Sequence, residues 1–232
     1  LMGIESPMLT AFVARMATPE ITLASWGSLV YPISLAIEGP IIMLLTASTA
    51  LSENRKAYNK LFKYMLVMSV VLSLLHVLLA FTPLFYLLAD NLMNIPKELL
   101  EPSRIGLQIM TPWTIMIAWR RLNQGVMIKY SNSKLVAIGT LIRLVSLIFV
   151  LSYGKWFTSL SGIVVGSSAV AIAVTIEALY AHIAVQKILN NKLPASSKHD
   201  EITRQSFTKF YLPLAITPLT TLLLHPAGAA GM

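Results

Sequence analysis

Long apolar stretches alternate with short polar connectors along most of the chain. A bilayer core about 30 Å thick needs roughly 20 mainly apolar residues for one helical crossing. Stretches of about that length cover residues 26–51, 61–88, 104–128, 135–153, 162–185 and 207–224. Inside hydrocarbon every backbone N–H and C=O group must be paired, which favours helices for these segments. The pattern therefore predicts an all-α fold, a polytopic transmembrane helix bundle of about six full spans plus a truncated first helix near residues 8–16.

Composition agrees with this fold class. Hydrophobic residues make up 56% of the 232 residues and charged residues 12%, whereas a soluble domain carries about 25% charged residues. Six spans leave too little chain for a sizeable soluble domain. The chain has no cysteine, so a disulfide framework is not expected.

Basic residues are concentrated in every second connector rather than in one stripe. The three rich regions contain Arg55, Lys56, Lys60 and Lys63; Arg120, Arg121, Lys129 and Lys134; and Lys187, Lys192, Lys198, Arg204 and Lys209. Positively charged connectors face the cytoplasm in most membrane proteins. The pattern predicts a multi-pass protein of the inner cell membrane, in contact with membrane lipids. Because the net charge of +8 is spread in this way, nucleic acid is not an expected partner.

Glu38 lies in the middle of the first full span, 14 residues from the polar end at Ser52. At about 100° per residue, a helix places it within roughly 40° of other polar positions on one face. Those positions are Tyr31, Ser34, Thr49 and Ser52. A charged side chain at this depth is costly unless it faces the bundle interior or a wet cavity. We predict that Glu38 binds a coupling ion. The alternative is a protonated carboxyl group that hydrogen-bonds a neighbouring helix at the Gly39-Pro40 break.

His76 lies at a similar depth in the next span, 13 residues from Lys63 and 14 from Asp90. Histidine exchanges protons near physiological pH, so we predict that His76 assists Glu38 in ion coupling. The alternative is a histidine whose ring is satisfied by hydrogen bonds to a neighbouring helix.

Arg143 and Glu177 lie on consecutive antiparallel helices at matching depth. Arg143 is nine residues from Lys134, and Glu177 is ten from Lys187. Glu177 also shares a helical face with several glycines and alanines, which lets helices approach closely. We predict an ion pair that locks the two helices together. The alternative is a gate or a substrate contact that forms in one conformational state.

Arg120 and Arg121 lie near the basic end of their span. Long arginine side chains at such positions reach toward lipid phosphates, and this is the interpretation that we favour for both. The alternative is that they bind an anionic substrate inside the bundle, with Arg121 as the contact.

Motifs of soluble and membrane enzymes are missing from the sequence. It contains no HExxH, GxSxG, P-loop or GxGxxG pattern. Gly162 and Gly166 form a GxxxG pattern, which is typical of helix packing. The two aspartates and four histidines are dispersed and form no metal-ligand spacing. We therefore expect no enzyme activity, no cofactor and no metal site.

Three segments carry a resemblance to a known family. Residues 15–27 look like an outer loop after helix 1 that ends in an Ala-x-x-Gly entry to helix 2. Residues 44–58 look like the inner end of helix 2, and residues 119–130 are similar to a subgroup of bacterial members. Taken together, the chain resembles the multidrug and toxic compound extrusion (MATE) family, within the wider flippase superfamily. The resemblance implies twelve helices in two six-helix lobes, and export of a small organic solute coupled to H⁺ or Na⁺.

This resemblance implies that the chain is part of a longer transporter. It implies a six-helix N-terminal lobe at 1–190, a cytoplasmic linker at 191–206 and the truncated first helix of a second lobe at 207–232. The missing second lobe is then an expected partner. Many family members carry a coupling aspartate in helix 1, but the corresponding position near Leu9 is apolar and Glu5 is the closest acid. Glu38 is therefore the expected substitute.

Two other functions stay open. Arginines in or near the spans favour a flippase or exporter of a lipid-linked or other anionic substrate over an exporter of cations. The candidate substrate contacts are Arg121, Arg143 and Glu177. A membrane scaffold that transports nothing is the other possibility.

Overall fold

The computed structural model describes residues 4–194 and 203–229, and their regular structure is helical throughout. The helices are α1 Glu5–Val13, α2 Pro19–Leu51, α3 Arg55–Phe81, α4 84–92, α5 Lys97–Ile109, α6 Trp113–Lys129, α7 Ser133–Phe157, α8 Gly162–Asn191 and α9 Arg204–Ala229. This confirms the all-α prediction for the described residues. Four of the helices, α2, α3, α7 and α8, are long and apolar enough to cross a membrane. They indicate a membrane protein, whereas six full spans remain a prediction.

The stretch at 104–128 does not form one helix as predicted. It is divided between α5 and α6, which are separated by residues 110–112. Pro112 lacks a backbone N–H and its ring obstructs the preceding turn, so a helix restarts there more readily than it continues. The new helix begins at Trp113. The predicted last span at 207–224 lies within α9, and the structure describes its side chains only as far as residue 216.

Helix α2 is irregular in two places. A wider π-helical turn covers Trp26–Val30. The regular α-helix that follows is interrupted at Met43, between Ile42 and Leu44. The predicted polar face that joins Glu38 to Thr49 and Ser52 stays a prediction across this interruption. The Ser48 hydroxyl donates to the Leu122 carbonyl at 2.7 Å and lies 3.2 Å from the Ser52 hydroxyl. The far end of α2 therefore packs against α6 through Ser48.

Helix α8 is the central packing element. It lies along α7 and α6 and also contacts α5, and its small residues permit these close approaches. Gly162 comes near Thr22 of α2, and Gly166 lies near Val13 of α1. In contrast, α3 and α7 carry rows of exposed apolar side chains, including Val71, Leu74 and Phe149, as expected of surfaces in contact with lipid.

The three basic connectors meet at one end of the bundle. The Arg55 backbone N–H donates to the Pro194 carbonyl at 3.0 Å, and the Lys192 ammonium donates to the Tyr130 carbonyl at 3.2 Å. The Tyr130 hydroxyl donates to the Ser52 carbonyl at 3.2 Å. Burial raises the pKa of Tyr130, with a smaller contribution from a nearby carboxylate, so the hydroxyl stays a donor. The predicted grouping of these connectors is confirmed.

Helix α9 packs against α2 beside its irregular middle. The Tyr211 hydroxyl donates a hydrogen bond to the Pro40 carbonyl. The Phe207 ring stacks on Tyr64 of α3, with centroids 4.5 Å apart. The helix that the resemblance assigns to a second lobe thus contacts the first bundle directly at the turn after Glu38.

Candidate functional site

A cavity of about 220 Å³ lies between α1, α2, α6, α7 and α8. Its polar lining consists of Glu5, Ser6, Tyr31, Glu38, Arg120, Arg121 and Arg143. Apolar and aromatic side chains, among them Trp26 and Trp113, complete the walls. A concave site with a few convergent polar groups among apolar walls is the usual form of a small-molecule site.

The predicted contact between Arg143 and Glu177 is present, but it is part of a larger network. Glu177 Oε2 lies 3.5 Å from Arg143 Nε and only 2.5 Å from Arg120 Nη1. Arg143 Nη2 in turn lies 3.1 Å from Glu5 Oε2. The Gln124 amide donates to the other Glu177 oxygen at 3.1 Å. Side chains from α1, α6, α7 and α8 therefore meet in one cluster of alternating charge.

The favoured interpretation of Arg120, contact with lipid phosphates, is wrong. Its side chain is 2% exposed and pairs with the fully buried Glu177. The local cause is helical spacing, because Arg120 and Gln124 are four residues apart and so face α8 on one side of α6. Arg121, one position further round the helix, instead lines the cavity, and its Nε atom is buried without a hydrogen-bond acceptor in the described part of the protein.

Glu38 lies in the cavity wall and is 4% exposed. Its Oε2 atom accepts a hydrogen bond from the indole N–H of Trp113. Trp113 is the first residue of α6, directly after the break at Pro112. Its position at the start of the helix lets the indole contact the Glu38 carboxylate. Among the described residues Glu38 forms no ion pair.

His76 lies outside this cavity. Its side chain is fully buried, Nδ1 lies 3.3 Å from the Thr114 hydroxyl, and Nε2 lies 3.1 Å from the Leu107 carbonyl. Both ring nitrogens thus have partners on α5 and α6, which is the geometry expected of a histidine satisfied by hydrogen bonds to neighbouring helices. The structure does not bring His76 to Glu38. Assistance in ion coupling stays a prediction.

Trp26, Trp113 and Gln124 belong to the site but were not predicted as site residues. The only signal for Trp113 was its position next to Pro112. The available signal for Gln124 was its spacing from Arg120. Leu9, where the resemblance places a coupling aspartate, is apolar and buried, and it lines the same cavity as Glu5 one turn earlier.

No protein-family model matches the chain, and no characterised protein or solved structure matches it. The resemblance to MATE transporters therefore stays a prediction that depends on three short segments. Function has to be inferred from the cavity and its charged groups.

Proposed function

We propose that this chain forms the N-terminal lobe of a MATE-like secondary active transporter of the inner membrane. The transporter exports a small organic solute in exchange for a coupling H⁺ or Na⁺. The observation that carries the proposal is the carboxyl group of Glu38, which lines a cavity between five helices. Three of those helices, α2, α7 and α8, are long and apolar enough to cross a membrane. Ionisable groups at such positions mark the paths of ions and substrates in membrane proteins.

In this mechanism Glu38 exchanges the coupling ion for solute. The Trp113 N–H, which donates to Oε2, stabilises the carboxylate when the ion has left. Binding of H⁺ or Na⁺ neutralises the carboxylate and weakens that hydrogen bond. The break in α2 at Met43, four residues after Gly39, supplies a place where the helix can bend as the cavity changes its access. A second lobe closes the remaining side of the cavity.

A second candidate is an exporter or flippase of an anionic or lipid-linked substrate. The observation in its favour is Arg121, which lines the cavity and has no ion-pair partner among the described residues. The structural network of Arg120 and Arg143 gives this candidate less support, because both guanidinium groups already pair with carboxylates.

The test uses the full-length protein that contains this chain, reconstituted in liposomes with an imposed H⁺ or Na⁺ gradient. We expect solute-dependent dissipation of one gradient, and loss of that flux in Glu38→Gln. Glu20→Gln, at an exposed carboxylate, is the matched control and retains the flux. His76→Gln tests the predicted assistant: a selective loss of coupling would support that role, and normal coupling would assign the histidine to packing.

Other results would contradict the proposal. Flux unchanged in Glu38→Gln would make Glu38 a structural hydrogen-bond acceptor. Translocation of polyprenyl-phosphate lipids without solute flux would favour the second candidate. The absence of any flux, with Glu38→Gln as stable as wild type, would favour a membrane scaffold.

A further inference from the structure

One arginine and one glutamate remain in the cavity after its ion pairs are assigned. Arg120 pairs with Glu177, and Arg143 pairs with Glu5. Arg121 and Glu38 are left, and neither forms an ion pair within the described chain. The two residues line the same cavity and interact electrostatically. Within the described residues, the cavity therefore offers a solute one arginine and one glutamate that are not in ion pairs.

Arg121 and Glu38 differ in whether their hydrogen-bonding atoms already have partners. Glu38 already accepts one hydrogen bond, from Trp113, so its carboxylate is held in place. Arg121 has a buried Nε–H that finds no acceptor among the described residues. A buried donor without an acceptor costs free energy, and a carboxylate brought in by a solute would supply the missing acceptor in bidentate form.

An aromatic surface forms part of the cavity wall. The rings of Trp26 and Tyr31 are stacked with their centroids 5.8 Å apart. Trp26 is almost buried, whereas Tyr31 is 37% exposed. The apolar side chains of Leu35 and Ile117 continue this wall. With about 220 Å³, the cavity is smaller than the roughly 300–1,000 Å³ typical of drug-sized ligands.

We propose that the solute is a small zwitterion with an apolar body, such as an aromatic or branched amino acid. Its carboxylate binds Arg121, its ammonium group binds Glu38, and its side chain packs on Trp26 and Tyr31. A zwitterion leaves the net charge of the cavity unchanged, so it avoids the cost of burying an uncompensated charge. The inference rests on the proposed function, in which Glu38 binds the coupling ion. The ammonium group of the solute and the coupling ion then compete for the same carboxylate, so the two are exchanged.

The test compares three ligands that share one phenyl body but differ in charge. L-Phenylalanine is the zwitterion, 2-phenylethylamine the cation and 3-phenylpropionate the anion. Calorimetric titration of the full-length protein in nanodiscs measures their dissociation constants. We expect phenylalanine to bind at least about tenfold more tightly than either singly charged ligand, as expected when each desolvated charge has its own partner.

Two variants separate the two ends of the solute. Arg121→Gln is expected to weaken phenylalanine and phenylpropionate about tenfold and to leave phenylethylamine unchanged. Glu38→Gln is expected to weaken phenylalanine and phenylethylamine and to leave phenylpropionate unchanged. The retained ligand in each case shows that the variant is folded. Arg15→Gln, at an exposed arginine, is the control and alters none of the three.

The proposal is overturned if phenylpropionate or phenylethylamine binds as tightly as phenylalanine, because one charge would then be irrelevant. It is also overturned if none of the three binds. In that case, gradient-coupled flux of another solute that still depends on Glu38 would leave the proposed function intact, and only the substrate class would be wrong.

Discussion

Replacement of Glu177 by glutamine should expose the cost of an unpaired charge inside the bundle. Glu177 is fully buried, and its Oε2 atom lies 2.5 Å from Arg120 and 3.5 Å from Arg143. Glutamine has nearly the same shape, so the substitution creates no cavity and removes mainly the negative charge. Arg143 keeps its contact with Glu5 at 3.1 Å, whereas Arg120 loses its only ion-pair partner among the described residues.

The magnitude follows from the burial of Arg120. Loss of one partner of a buried ion pair costs about 3–5 kcal/mol in soluble proteins, whereas hydrogen bonds between membrane helices average about 0.6 kcal/mol. Arg120 is 2% exposed and an arginine cannot relieve the loss by releasing its proton. We therefore expect Glu177→Gln to lower the free energy of unfolding by about 3 kcal/mol.

A double-mutant cycle tests whether charge is the cause. In the double variant Glu177→Gln with Arg120→Gln, the remaining pair of Glu5 and Arg143 is balanced. We expect this variant to be more stable than Glu177→Gln alone, with a favourable coupling of about 2 kcal/mol between the two changes. Reversible SDS-induced unfolding of the protein in mixed micelles, followed by circular dichroism, measures the free energies. Glu20→Gln, at an exposed site, should change stability by less than about 0.5 kcal/mol.

The reasoning would be refuted if the double variant lost as much free energy as the two single variants added together. That result would mean that the two side chains contribute independently, through packing, and that no unpaired charge is left in the single variant.

Two further predictions concern packing, and the same SDS titration measures both. Gly125→Ala should destabilise the protein by about 1–3 kcal/mol, because the new Cβ would lie 2.5 Å from Ser48 Cβ. Gly27→Ala is the matched control, since its Cβ would meet nothing within 4 Å. It should be neutral or stabilise the protein by up to about 1 kcal/mol. Equal stability of the two variants would contradict the close contact of α2 and α6. Tyr211→Phe removes the hydrogen bond to the Pro40 carbonyl and should cost about 1 kcal/mol, with faster amide exchange at the start of α9; unchanged exchange there would show that this bond does not hold the helix.

The chain's helical class and the grouping of its basic connectors were determined by sequence alone. Apolar stretches of membrane length leave a backbone few ways to pair its polar groups, so helices follow from composition and order. Successive antiparallel helices return every second connector to one end. The same simple geometry placed Arg143 and Glu177 at one depth, because their distances from basic connectors on neighbouring helices differ by one residue.

Only the tertiary structure determined which residues line the cavity. The segment that carries Arg120 and Arg121 is polar on all sides, so hydropathy could not tell which side faces inward. Packing of α6 on α2 and α8 sets that rotation, and it buries Arg120 against Glu177 while Arg121 lines the cavity. Similarly, residue counting predicts one depth for His76 and Glu38, but the His76 ring contacts Thr114 and Leu107 and does not line the cavity. Depth in a helix follows from counting residues, whereas rotation about the helix axis depends on which neighbours fit, and that information lies in contacts between distant segments.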